Sequence, residues 1–150
     1  MKIISQFKVS GLISVILGLL VGLCSCFGNS SNEEKEEIPL VSSAEFKDGG
    51  AYGNVLSITE EYGNINTEFI KSDIKTLGIE NASFFLLKYE MNAYEVHLGE
   101  NYDDVPEGNW IALWRDGRLR IARNLENAVI TLGCKEGDIL FIKAKVGNEE

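Results

Sequence analysis

Trp110-Ile-Ala-Leu-Trp114-Arg115-Asp116-Gly117-Arg118-Leu-Arg120-Ile-Ala-Arg123-Asn124 holds every arginine and both tryptophans of the 150-residue chain. Alternating segments flank Asp116-Gly117, and both turn residues tolerate positive φ, so the stretch predicts a β-hairpin. A two-residue turn sets Arg115 opposite Arg118, Trp114 opposite Leu119, Ala112 opposite Ile121 and Trp110 opposite Arg123. One face then carries Trp110, Ala112, Trp114, Leu119, Ile121 and Arg123. It reads as core, with the guanidinium at its rim over an indole. The other face carries Arg115, Arg118 and Arg120 near the turn. Clustered guanidinium in an acidic protein suits an anion or carboxylate partner. For these three a solvated hairpin tip is the simpler reading, whereas the parity of Arg123 points it to the apolar side.

The sequence around the hairpin is mostly strand-like. Asn54 to Thr59, Ser83 to Tyr89, Met91 to Leu98 and Asp138 to Val146 are short runs rich in branched and aromatic residues. In the third, Tyr94, Val96 and Leu98 share a face, leaving Glu95 and His97 outside. In the last, Leu140, Ile142, Ala144 and Val146 point inward, and Lys143 and Lys145 outward. Phe69, Ile70, Ile74 and Leu77 have helical spacing within Asn66 to Leu77, before Gly78, and a second short helix is expected at Glu126 to Leu132, stopped by Gly133 or Gly137. Six or seven strands in so short a domain favour a small barrel or sandwich, and the expected fold is mostly β, a single small β-barrel of about six or seven strands with one or two short helices.

The N-terminus has a different plan. Lys2 and Lys8 precede an apolar run from Gly11 to Leu23, followed by Leu23-Cys24-Ser25-Cys26. This is the layout of a secretory signal, and its end resembles a bacterial lipobox. Cys26 has the small Ser25 before it and fits, whereas Cys24 follows Leu23 and fits poorly. Residues 1–25 then form a lipoprotein signal peptide, and acylation of Cys26 anchors the chain to a bilayer on the non-cytoplasmic side of the bacterial envelope. The competing reading is an uncleaved anchor over Val9 to Phe27, weakened by its serines and glycines. Phe27 to Glu37 is polar and small and reads as a flexible tether, Ile38 to Gly50 as transitional, and residues 51–146 as the barrel, with a tail at 147–150.

Cleavage before Cys26 removes Lys2 and Lys8 but none of the 23 acidic residues, so the formal charge falls from −9 to −11. That balance argues against nucleic acid as a partner. Cys134 would be the one remaining free thiol, without a disulfide mate, and reads as a small buried residue. The acidic loop Tyr102-Asp103-Asp104-Val105-Pro106-Glu107-Gly108 matches no calcium-loop spacing. There is no zinc ligand set, serine triad, phosphate loop or dinucleotide fingerprint, and no metal or cofactor is expected.

In order, several motifs resemble one family. Gly53-Asn54-Val55 is followed by Thr59-Glu60-Glu61-Tyr62-Gly63-Asn64, then Tyr102-Asp103-Asp104-Val105. Next come Asp116-Gly117-Arg118-Leu119-Arg120-Ile121-Ala122 with Arg123-Asn124, then Ala128, Leu132-Gly133 and Lys135-Glu136-Gly137-Asp138. This series resembles the C-terminal domain of the S-adenosylmethionine hydroxide adenosyltransferases, relatives of the fluorinating and chlorinating enzymes, over roughly Gly53 to Val146. The resemblance implies a small β-barrel that supplies the adenine side of a pocket. It assigns Tyr62 to an aromatic packing position and Asn64 to an amide that hydrogen-bonds adenine. Arg123 and Asn124 would lie beside the base, and Tyr102 would stack on it. Thr59 stands where the family has an aspartate, and Arg115 and Asp116 replace a small residue and its neighbour. The larger catalytic domain of the family has no counterpart in these residues.

The functional expectation is a membrane-anchored lipoprotein with a non-catalytic barrel that binds a small, adenosine-like ligand weakly, or a protein partner or second copy of itself. The alternatives are one half of a split S-adenosylmethionine hydrolase, completed by a separate catalytic chain, and a structural envelope lipoprotein. The lipidation site is directly testable. Metabolic labelling with a fatty-acid probe should tag the wild-type protein and not Cys26→Ala; labelling that survives in Cys26→Ala, or is lost only in Cys24→Ala, contradicts the assignment.

Overall fold

The computed structural model describes residues 39–145. Cys26, the signal peptide, residues 27–38 of the tether, Val146 at the end of the expected last strand and the tail at 147–150 lie outside the described residues. The strands are β1 (Glu45–Lys47), β2 (Gly50–Ile58), β3 (Ile65–Ile70), β4 (Phe84–Tyr89), β5 (Asn92–Leu98), β6 (Trp110–Arg115), β7 (Arg118–Arg123) and β8 (Ile139–Ala144). Two short helices, α1 (Lys71–Thr76) and α2 (Ala128–Leu132), and a single 3-10 turn at Tyr102–Asp104 complete the described elements.

The strand order is β1-β2-β3-β7-β6-β5-β4-β8, and β8 returns to pair with β2. Seven strands, β2 to β8, therefore close into a barrel, and β1 is an extra strand on the edge of β2. Nearly all pairings are antiparallel; β5 and β6 run parallel through only His97↔Ile111 and Leu98↔Ala112. Phe69, Phe85, Leu87, Leu98, Leu119, Ile121, Leu140 and Ile142 are buried in the barrel core. A barrel of this strand number has room for little beyond its own inward side chains. The crowding reaches β2, where a Cβ on Gly53 would come within 2.6 Å of the Phe69 ring.

The β6–β7 hairpin has the register expected, from Trp110↔Arg123 to Arg115↔Arg118. Asp116 and Gly117 both adopt positive φ, 50° and 75°, the primed turn that matches strand twist. Its second face is less polar than expected. Ile111, Leu113 and Ala122 are buried beneath Val105 of the β5–β6 connection and form a small second core. Arg118 and Arg120 are not a solvated tip either. The Arg118 guanidinium donates to the Glu68 carbonyl at 2.8 Å and Arg120 Nε to Asn66 Oδ1 at 2.8 Å, so both tie β7 to β3. Only Arg115 of the three is exposed.

The helix expected over Asn66 to Leu77 is two elements. Ile65, Thr67 and Phe69 alternate inward as a strand, and the Thr67 hydroxyl donates to the Leu119 carbonyl across the sheet at 2.7 Å. Helix α1 begins only at Lys71, after Asp73 Oδ2 accepts the Ile70 amide at 2.9 Å. Period-two burial against β7 overrides the period-3.6 spacing of the same apolar residues. The second helix starts two residues later than expected, because Glu126 turns back to pair with Arg123 and Asn127 caps the helix.

The boundary expected at Gly50 also moves. Residues 45–47, assigned to the tether and transitional stretch, pair with Gly50 to Tyr52. Ser43 donates to Glu68 at 2.7 Å and Ser42 to Asp73 at 2.6 Å, while Leu40 packs on Gly117 at the hairpin tip. Glu68, only 4% exposed, is the hub of this strap. Its carboxylate accepts the Asn54 amide at 2.8 Å, where the edge of β2 has passed the end of β1 and has not yet reached the β3 ladder.

Burial pushes the Glu68 carboxyl up, but hydrogen bonds from Ser43 and Asn54 and the nearby Arg118 charge outweigh it and hold it below its ordinary 4.5. A depressed carboxylate stabilises the fold above its ordinary value, and that contribution is lost as pH falls through the lower folded value. Glu68→Ala should cost about 2–3 kcal/mol at neutral pH by stranding the Asn54 amide. Denaturant melts at pH 7 and pH 3 should show the variant losing less stability on acidification than the wild type. An equal loss in both would contradict the assignment.

Candidate functional site

Three connections meet at one end of the β6–β7 hairpin, away from its Asp116-Gly117 tip. The first follows β2. Thr59 organises it: its carbonyl accepts the Gly63 amide at 2.9 Å and its hydroxyl the Asn64 amide at 2.9 Å. Gly63 adopts φ 59°, and a Cβ there would overlap the Asn127 side chain. Asn127 in turn caps α2 by accepting the Ile130 amide at 2.9 Å, and the Val129 amide donates to the Gly63 carbonyl at 3.1 Å. The tight Tyr62-Gly63-Asn64 turn is therefore seated directly on α2.

The second connection is the acidic β5–β6 loop. Asp104 accepts the Glu100 and Asn101 amides at 2.7 and 3.0 Å, and these bonds hold its carboxyl below the usual range. The carboxylate is a loop brace. The third connection leaves β7 through Asn124 and Leu125. Asn124 is buried and donates its side-chain amide to the Val105 carbonyl at 2.8 Å, while its backbone exchanges hydrogen bonds with Gly108 and Asn109. Leu125 then takes φ 57°, a conformation costly for a residue with a Cβ, and leaves its side chain 80% exposed.

Between these connections lies a concavity of about 560 Å³ lined by Glu61, Tyr62, Asn64, Tyr102, Asp103, Arg123, Asn124, Leu125, Glu126 and Asn127, with a mostly carbon surface. Its size is that of a small-molecule pocket. The structure thus brings all five sequence-derived candidates, Tyr62, Asn64, Tyr102, Arg123 and Asn124, onto one wall system. Asn64 is buried, and its Nδ2 donates to the Tyr102 hydroxyl at 3.2 Å. Tyr62 is 60% exposed at the rim, with its hydroxyl pushed up by the hydrogen bond to Glu61.

Arg123 is present but committed. Its Nε and Nη2 both donate to the Gly108 carbonyl, at 2.9 and 2.6 Å, and its Nη1 donates to the Thr131 hydroxyl at 2.7 Å. Glu126 pairs with it, and the guanidinium lies 5.6 Å from the Trp110 ring centroid, the stacking expected from hairpin parity. The group clamps the β5–β6 loop and α2 to the hairpin. Glu126 neutralises its charge, and Glu61 and Asp103 then leave the rim negative.

Sequence reasoning missed Leu125, whose backbone strain has no local sequence signature, and Glu61 and Glu126, which become pocket residues only when the connections meet. Elsewhere, His97, expected at the surface, is half-buried against Phe84, with ring centroids 4.8 Å apart. Cys134 is buried, and burial, aided by Asp138, pushes its thiol up to about 11, far from a nucleophile at neutral pH. Among the described residues no group of three His, Cys, Asp or Glu side chains is placed to hold a metal ion, and no helix is long and apolar enough to cross a membrane.

No protein-family model matches the chain, and no curated protein matches it. Among solved structures it is similar to an uncharacterized conserved protein from Thermotoga maritima, with a TM-score of 0.62 and 22% identity over 71% of this chain and 41% of that one. A conserved hypothetical protein from Thermus thermophilus aligns at 26% identity over 62% of this chain and 35% of that one, with a TM-score of 0.46. The first likeness is one of fold alone, and the second carries no weight. This chain spans less than half the length of either protein.

The clamp and the strained corner make opposite predictions. Arg123→Ala should destabilise the barrel by about 2–3 kcal/mol, because the Gly108 and Thr131 oxygens lose a charged donor. Leu125→Gly should leave stability unchanged or raise it by up to about 1 kcal/mol, because glycine adopts this φ without strain. Thermal melts of both variants check the pair; a stable Arg123→Ala or a strongly destabilised Leu125→Gly would contradict these roles.

Proposed function

We propose that the chain is a membrane-anchored lipoprotein, held to the bilayer through acylated Cys26, whose barrel is a non-catalytic binding module for a small planar ligand of the adenosine type. The observation that carries this reading is the convergence of Tyr62, Asn64, Tyr102, Arg123 and Asn124 on one concavity. These are the positions that the resemblance to the S-adenosylmethionine hydroxide adenosyltransferases assigns to the adenine side. Two tyrosines and Leu125 supply apolar walls for a ring, and the Asn64 amide, held by Tyr102, supplies a directional polar group.

Electrostatics narrows the ligand. With Arg123 paired to Glu126, the rim carboxylates Glu61 and Asp103 repel phosphate and tolerate a neutral or cationic group. The nucleoside is favoured over the nucleotide. A second occupant of the rim, a protein partner or another copy of the chain, is supported by exposed apolar side chains at Tyr62, Leu125 and, on the adjoining helix, Ile130. Either would close the pocket and supply the contact area that an open half-pocket lacks. Cleavage of S-adenosylmethionine is not part of the reading. Displacement at a ribose carbon needs a positioned nucleophile and exclusion of water. Thr59, the residue at the family's aspartate position, spends its hydroxyl on the Asn64 amide.

An NMR titration with adenosine should give saturable shifts at the Gly63, Asn64 and Leu125 amides with a Kd of about 1 mM, a weak value because little ligand surface is covered. Adenosine monophosphate should bind several-fold more weakly, and Tyr62→Ala, a surface change, should weaken adenosine binding without unfolding the barrel. Absence of saturation at about 10 mM, where such a Kd would nearly fill the site, rejects the nucleoside reading. Accumulation of adenosine from added S-adenosylmethionine, abolished by Asn64→Ala, rejects the non-catalytic reading.

A further inference from the structure

A second concavity, of about 610 Å³, lies on the outer face of the barrel away from the pocket above. It is lined by Lys47, Asp48, Tyr52, Lys88, Glu90, Ile139, Phe141 and Lys143. Strand register builds it. Tyr52 of β2 is opposite Phe141 of β8, and Phe141 is opposite Lys88 of β4. Lys47 of β1 and Lys143 of β8 share this outward face. The two rings contact in a tilted pair with centroids 4.7 Å apart. The Lys47 ammonium lies 4.7 Å from the Tyr52 centroid and the Lys88 ammonium 5.8 Å from that of Phe141.

This is an unusual surface for a chain of net charge −9. Lys88 and Lys143 form no salt bridge among the described residues, and Lys47 reaches only the exposed Glu45, at 3.1 Å. Backbone is shaped around them. A Cβ at Gly50 would overlap the Phe141 ring, and one at Gly49, φ 72°, would press the Lys143 ammonium at 3.3 Å. Consecutive glycines thus let the ring and the ammonium lie against the β1–β2 turn. Ile139, 59% exposed, extends the apolar floor. Ring contacts restrain two of the cations before any ligand arrives, which lowers the ordering cost of binding.

We propose that this concavity is a binding site for an acidic saccharide: a sugar ring carrying a carboxylate, such as a uronic acid unit of a cell-surface polysaccharide. Lys88 and Lys143, unpaired among the described residues, flank the position for the carboxylate, with Lys47, shared with Glu45, beside them. Ile139 and the half-buried Tyr52 ring, backed by the buried Phe141, meet the apolar C–H face of the sugar. Asp48, which already accepts the Tyr52 hydroxyl at 2.9 Å, and Glu90 accept from sugar hydroxyls. The same two carboxylates disfavour a compact polyphosphate, which has no hydroxyl to donate to them. Two unpaired cations, a third shared with Glu45, two acceptors and an apolar floor suit one carboxylate among several hydroxyls better than dense negative charge.

Calorimetric titration of the full-length chain in mild detergent, with tetragalacturonate as the probe, tests this. Saturable binding with a Kd of about 1 mM or tighter is expected, with maltotetraose and inorganic triphosphate each binding at least about tenfold more weakly. Lys88→Gln, on an exposed strand position, and Lys143→Gln, on a half-buried one, should each weaken tetragalacturonate about three- to tenfold while leaving the thermal melt nearly unchanged. Absence of saturation at about 10 mM overturns the proposal. Triphosphate binding as tightly as the uronate overturns it in favour of charge attraction alone. Maltotetraose binding as tightly, or tetragalacturonate binding indifferent to both lysine variants, removes the role given to the cations and also overturns it.

Discussion

The described structure depends on one strand having partners along both edges. β2 pairs with β1 and then β3 along one side, and with β8 along the other. Without the β2–β8 pairing the sheet would be an open ribbon with two unpaired edges, and its inward residues would lose half of their enclosure. Closure imposes tight local terms. Gly53 has no Cβ because the Phe69 ring fills that space, and Gly50 has none because Phe141 and the β8 backbone lie against it. Asn54, between the reaches of β1 and β3, has its amide satisfied by the buried Glu68 carboxylate instead of a neighbouring strand.

Both concavities follow from that closure. The turn after β2 and the exit of β7 come to the same end of the barrel, where the β5–β6 connection crosses to begin a parallel strand. The ten-residue pocket lies in the gap between these three segments. Its geometry is held by groups that bind one another: Thr59 to Asn64, Asn64 to Tyr102, Asn124 to Val105, and Arg123 to Gly108 and Thr131. The lysine–aromatic face lies where β1, β2, β8 and β4 run side by side. Residues 39–44 cross from the hairpin tip over Asp73 and Glu68, so the chain enters the barrel at the opposite end of the β6–β7 hairpin from the pocket.

The barrel class and the hairpin were legible in the sequence, because Asp116-Gly117 fixes a two-residue turn and the turn fixes every pair along β6 and β7. The β3–α1 segment was not, because Phe69, Ile70, Ile74 and Leu77 satisfy a helical period by spacing alone. Which period wins is decided by the neighbouring β7, which no local reading contains. The roles of Arg118 and Arg120 were hidden for the same reason, since their acceptors, Glu68 and Asn66, lie some fifty residues away. Of the pocket, five lining positions were singled out in the sequence by resemblance, and the fold brings those five side by side. The neutralisation of Arg123 by Glu126 was not legible, because it requires Leu125 to turn the chain back at positive φ. The lysine–aromatic face had no sequence signal at all: residues 47, 52, 88, 141 and 143 are joined only by strand register.

The central functional claim is that the pocket between Tyr62 and Tyr102 receives a planar base. Intermolecular nuclear Overhauser contacts measure this directly, in protein with isotope-labelled tyrosine and unlabelled adenosine. Contacts are predicted from the adenine protons to the Tyr62 and Tyr102 rings, with none to Tyr52 on the opposite concavity. Contacts to Tyr52 or Tyr94 without Tyr62 and Tyr102 would contradict the account.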